Sequence, residues 1–153
     1  MNQRGIASAL DVSPTAVAKA LKGLGNIVKV EKDPKMNLVS VQINRDDKRI
    51  VELKRVENLR QVYDSGLLDH LEDLFPGCTI ILFGSYSRGE DTIRSDVDIA
   101  VIGAKEKNMD LSRFEDLLRR KIIINNYDDL KKINKNLRQN IINGITLQGT
   151  IEL

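Results

Sequence analysis

The sequence is poor in the residues that most often carry chemistry. One cysteine, Cys78, and one histidine, His70, stand among 153 residues, and there is no tryptophan. A zinc site built from His and Cys, and any triad that needs a histidine base, are excluded on residue count. A lone cysteine allows no disulfide framework, so a reducing cytoplasm is the expected compartment. Long apolar runs are lacking as well: stretches such as Ile80-Ile81-Leu82-Phe83 span four residues, too few to cross a bilayer, and no membrane partner is expected. Met1-Asn2-Gln3-Arg4-Gly5 leads into no signal-peptide core. There is no repeat and no low-complexity tract. Any catalysis must rest on carboxylates, hydroxyls, basic side chains and backbone.

What is present is a soluble, foldable composition, 41% hydrophobic and 30% charged. The formal charge of +2 hides an asymmetry. Residues 1–45 hold seven basic side chains against three acidic ones, whereas 64–153 hold 12 against 15. A basic front joined to an acidic back suggests two modules with different partners.

In the basic front, residues 5–12 read as a short helix with Ile6, Ala9 and Leu10 on one face. Ser13-Pro14 supplies an N-cap and a first-turn proline. A second helix, Thr15 to about Leu24, places Val17, Leu21 and Leu24 on one stripe and Thr15, Ala16, Lys19 and Lys22 on the other side. Gly25-Asn26 ends it. Two alternating runs, 27–32 and 38–43, flank the turn Asp33-Pro34-Lys35-Met36-Asn37 and read as strands. The stretch Ile6–Ile43 resembles a winged helix-turn-helix domain that lacks its first helix. Either a helix precedes Met1 in the native chain or another segment covers the exposed face. The resemblance implies DNA as partner of residues 1–45, with Thr15, Lys19 and Lys22 toward the major groove and Lys32 and Lys35 on the wing.

Asp46-Asp47 can cap a connector helix running to about Tyr63, with Ile50, Leu53, Val56 and Leu59 as its apolar face. A further amphipathic helix carries Leu67, Leu68, Leu71, Leu74 and Phe75, stops at Pro76-Gly77, and leaves His70 exposed without a role.

The chemistry sits behind it. An apolar strand, 79–83, ends in Gly84-Ser85-Tyr86-Ser87-Arg88-Gly89-Glu90, and a second strand is expected over Asp96–Ile102. Residues i and i+2 of a strand share a face, so Asp96 and Asp98 present two carboxylates together while Val97 and Ile99 enter the core. Unpaired, they repel and raise one pKa, a cost that a divalent cation removes. Oxygen-only ligands favour Mg2+ or Mn2+. Gly84 permits a sharp turn, and Ser85 leads into a short helix whose N–H groups suit a phosphate. The ten residues 86–95 are enough to fold Gly84-Ser85 back beside the aspartates.

Gly84-Ser85, ten residues, then Asp96-Val97-Asp98 resembles the signature of the polymerase-β-like nucleotidyltransferases. With Arg88-Gly89 and Ser95 it is similar to their minimal prokaryotic branch. The resemblance implies that Asp96 and Asp98 are catalytic and hold metal. It also implies that Gly84, Ser85, Arg88 and Ser95 bind the nucleotide, and that an NTP gives up its nucleoside monophosphate to an acceptor. Active members usually add a third acidic residue on a later strand. The strand expected at 121–126 has none, and Asn125 is only a neutral candidate. Asp128 and Asp129 read as cap and first turn of a final helix with Leu130, Ile133, Leu137 and Ile141 inside and Gly144 at its end.

The expected fold is α+β. It has a partial winged helix (1–45), a helical connector (46–66) and a minimal nucleotidyltransferase domain (67–153) whose mixed sheet is flanked by helices. The tail from Thr146 alternates enough to add a strand, to its own sheet or to a second copy in a homodimer. Three functions follow: a metal-dependent nucleotidyltransferase coupled to DNA binding; a DNA-binding regulator or antitoxin-like protein whose transferase domain binds nucleotide or a toxin-like partner without efficient catalysis; or a structural interaction module with a degenerate site.

Overall fold

The computed structural model describes residues 2–33 and 38–151. Packing divides the chain into two units, 1–51 and 52–153. The first holds α1 (Gln3–Ala9), α2 (Pro14–Gly23), a 3-10 turn at 25–27, and the antiparallel pair β1 (Val28–Asp33) and β2 (Leu38–Ile43). Asn2 caps α1 through the Gly5 amide, and Ser13 caps α2 through the Ala16 amide at 3.1 Å, with Pro14 in the first turn. The expected elements are therefore present, and their faces agree in part: Val17 is inside and Ile6 and Leu21 are half-buried, but Ala9 is exposed and Ala7 takes its place. Ala7, Val17 and Val41 are buried, whereas Leu10 and Leu24 are exposed. A unit of this size encloses few side chains, and α2 has already ended when the chain reaches Leu24. The turn that joins the strands, with Lys35, lies outside the described residues.

α3 (Lys48–Asp64) begins after Asp47, whose Oδ1 accepts the Arg49 amide at 3.0 Å. Its expected stripe holds at both ends, where Ile50 is buried and Leu59 packs against the core, but Leu53 and Val56 are 57% and 68% exposed. Turned inward instead are Lys54, Asn58 and Val62. These recur every four residues, the spacing of one helical face, and two of the three are polar because a buried charge lies opposite them (below).

The second unit continues with α4 (Leu67–Leu74), β3 (Thr79–Phe83), α5 (Gly84–Arg88), β4 (Val97–Ile102), α6 (Ser112–Leu118), β5 (Ile122–Tyr127), α7 (Lys135–Ile142) and β6 (Ile145–Gln148). The four strands form a mixed sheet in the order β5-β4-β3-β6; β4 and β5 are parallel, the other pairs antiparallel. The tail thus completes its own sheet. Strand alternation builds two cores. Ile80, Leu82, Val97, Ile99 and Val101 face α3, α4 and α6 through Val62, Leu71, Phe114 and Leu118. Ile81, Phe83 and Ala100 face Leu130 and Ile141.

Two elements differ from the sequence pattern. His70 is half-buried, its ring 5.0 Å from that of Phe114, because α6 closes over α4. The final helix is also shorter than expected. Asp129 caps a separate 3-10 turn at 130–132 by accepting the Lys131 amide, and α7 starts afresh on Asn134. Leu130 and Ile141 still share one core, so the inward face was legible although the break was not.

Candidate active site

β3 and β4 are antiparallel, and the pairing of Phe83 with Asp98 brings the end of one strand to the beginning of the other. Here the chain turns at Gly84, with φ of 76°, into α5. A methyl group on Gly84 would run into Asp98 Oδ2 and lie 3.2 Å from its Cγ. The Gly-Ser turn and the second aspartate are therefore in direct contact, and glycine is required by both φ and space.

β4 starts at Val97, one residue later than the pattern suggested, so Asp96 lies just ahead of the strand. Asp96 is exposed and Asp98 half-buried, while Val97 and Ile99 are fully enclosed. Burial pushes the Asp98 carboxyl above its ordinary value, the negative charge of Asp96 pushes it further, and Arg88 opposes both. Arg88 is held by Glu90 Oε2 at 2.8 Å and by Asn140 Oδ1 of α7 at 2.9 Å. The structure thus assembles Gly84, Arg88, Asp96 and Asp98. The Ser85 hydroxyl takes no partner among the described residues. Ser95 is engaged in its own loop: its Oγ accepts the Thr92 amide at 2.9 Å and its carbonyl accepts from Arg120 at 3.1 Å.

The register of β5 decides what stands beside the pair. Asp98 lies opposite Ile123, which is 39% exposed, and Asn125 lies opposite Ala100. Asn125 is one pleat further along and is not the neighbour of Asp98. Among the described residues no group of three or more His, Cys, Asp or Glu side chains converges on a metal position. A cavity of about 750 Å³ lined by Asn126, Tyr127, Asp128 and Lys132 lies toward the far end of β5, away from the aspartates.

The family model for the nucleotidyltransferase domain matches residues 65–148, more than half of the chain. The chain belongs to the nucleotidyltransferase domain family. The match encloses the Gly-Ser turn, both aspartates and all four strands of the mixed sheet, so this domain is where nucleotidyl transfer is to be sought. No curated protein and no solved structure matches the chain. No helix among the described residues is long and apolar enough to cross a membrane.

Sequence reasoning missed Lys54, Asn58, Asp91 and Arg120. Asp91 is almost completely buried and paired with Lys54 and Arg120, each at 2.8 Å. No motif signals them, because each lies far along the chain from its partners and an acid in a loop ordinarily reads as solvated.

Proposed function

We propose that this nucleotidyltransferase domain is metal-dependent and moves a nucleoside monophosphate from an NTP to an acceptor hydroxyl, with residues 1–45 as a DNA-binding module. The observation that carries the reading is the packing of Gly84 against Asp98, which puts the phosphate-binding turn beside the carboxylate pair. The donor set fits Mg2+ or Mn2+: two hard oxygen ligands whose mutual repulsion Arg88 offsets only in part, with further ligands left to the nucleotide's own phosphates. Asp96 and Asp98 would hold the ion, and its charge, when bound, offsets that of the triphosphate.

The protein's own groups orient the substrate. Ser85 and Arg88 reach the terminal phosphates, and Ser95 shapes the loop ahead of Asp96. The acceptor oxygen forms a bond to the α-phosphorus, the bond to the β-phosphate oxygen breaks, pyrophosphate departs, and the acceptor proton passes to water. Positioning and charge compensation carry such a step, which suits a site without His or Cys.

Labelled NTP titrated with Mg2+ or Mn2+ into wild type and Asp96→Ala/Asp98→Ala, followed by a pyrophosphate assay, tests this. Wild type is expected to bind and release pyrophosphate, and the double variant to do neither. Equal binding by both would remove the aspartates from the site.

Ile123 beside Asp98 favours a second reading, in which the domain binds nucleotide or a toxin-like partner without efficient turnover, as a DNA-binding regulator or antitoxin-like protein would. Its signature is binding without pyrophosphate. For DNA, the support is the order helix, turn, helix, hairpin, with Thr15, Lys19 and Lys22 exposed on α2 and Lys32 exposed on β1. Binding should weaken steeply with salt, and Lys19→Ala/Lys22→Ala should lower the slope of log affinity against log salt by about 2. A slope unchanged by the double substitution would dismiss α2 as the contact.

A further inference from the structure

The loop that leads into Asp96 is held by polar contacts alone. Its single apolar residue, Ile93, is 87% exposed, so nothing anchors 90–95 in either core. Asp91, 1% exposed at its side chain, takes that place. Its Oδ1 accepts from Lys54 Nζ and Asn58 Nδ2, both at 2.8 Å, and its Oδ2 from Arg120 Nη2 at 2.8 Å.

The same side chains reach the two halves of the motif. Asn58 Nδ2 also donates to the Tyr86 carbonyl in α5 at 2.9 Å. Arg120 Nη1 donates to the carbonyls of Thr92 and Ser95, the latter immediately before Asp96. The Arg120 guanidinium lies 5.4 Å from the centre of the Tyr86 ring, whose phenol burial pushes up to about 12. A buried ion cluster is a poor device for stability, since apolar side chains of similar volume serve as well. Directional hold on backbone carbonyls is something apolar side chains cannot supply.

We infer that Asp91, Arg120 and Asn58 are positioning residues that fix the Gly84-Ser85 turn relative to Asp96 and Asp98, and so set the affinity for a metal–nucleotide complex. This rests on the reading of the site given above. It also makes α3 part of the site's support, although Lys54 and Asn58 precede the family-matched segment.

Arg120→Lys is the test. It keeps a cation opposite Asp91, but one ammonium cannot span the carboxylate and two carbonyls. The variant should melt cooperatively, yet bind Mn2+–ATP in calorimetry roughly 10- to 100-fold more weakly than wild type. Amide exchange at Ser95 and Val97 should quicken by about tenfold while β3 is unchanged. Asn58→Ser, which leaves both ion pairs intact, should move both readouts the same way and serves if Arg120→Lys fails to fold. Wild-type binding and exchange in a folded variant would overturn the inference. If wild type itself binds neither Mn2+–ATP nor the Mn2+ complexes of GTP, CTP and UTP, the reading of the site falls and exchange decides the clamp: quickening confined to the loop keeps it, and no change removes it.

Discussion

Gly84→Ala should weaken nucleotide binding by about 100-fold while leaving a folded protein. Two costs meet at this position. The first is conformational: φ of 76° is left-handed, and a Cβ there costs about 1–2 kcal/mol. The second is spatial, because the new methyl would overlap Asp98 Oδ2 and press on Cγ and Cβ. A carboxylate can turn away from such a contact, so this second cost falls on geometry more than on stability. A displacement of that size at a reacting centre is worth roughly 100-fold.

Gly77→Ala separates the two costs. Gly77 has the same φ of 76° but nothing within 4 Å of its would-be Cβ. Both variants should lose a few degrees in melting temperature, and only Gly84→Ala should lose Mn2+–ATP affinity, by about 100-fold. Equal affinity in the two would mean that Asp98 does not depend on the space above Gly84.

The contrast between these glycines shows which parts of the site were legible in sequence. The apolar run 79–83, the glycine at its end and the alternation of Val97 and Ile99 each depend on near neighbours, and period-2 patterning transmits them directly to the sheet. The inward face of α3 was legible in this way only at Ile50 and Leu59. Its apolar residues at 50, 53 and 56 advance by threes and suggested one stripe, but Lys54 and Asn58 are inside because Asp91 is there. That reason lies 33 residues from Asn58, and Arg120 lies a further 29 from Asp91. Periodicity cannot carry information over such separations. His70 is similar: its place on the polar side of α4 predicted exposure, and only the return of α6 encloses it. The register of β5 is a third instance. A run of Ile122, Ile123 and Ile124 gives no alternation from which to choose the residue facing Asp98.

That register leads to the prediction with the greatest gain. Ile123 is the direct partner of Asp98 on a parallel neighbouring strand, so their side chains emerge on one face, and Ile123 is open enough to accept a charge without deep burial. Ile123→Asp should therefore place a third carboxylate at the pair. Without divalent ion the variant should be less stable than wild type, since Asp98 already titrates high beside Asp96 and a third negative charge adds to the same repulsion. The sign then reverses on adding Mn2+, and the thermal shift should exceed that of wild type.

Pyrophosphate release should rise by roughly 100-fold, the lower range of what a positioned proton acceptor supplies. Ile123→Asn provides the control of equal size without the charge. Asn125→Asp moves the carboxylate two residues, about 6.6 Å, along β5 to the level of Ala100, where it should do little. If Ile123→Asp is no faster than Ile123→Asn, a missing third acid is not what limits this site. Turnover would then be set by the acceptor, and the regulator reading would lose the observation that favours it. If the gain appears, the wild-type domain is a nucleotide-binding site held one carboxylate short of efficient transfer, and a substitution at a single register position moves it from the second reading to the first.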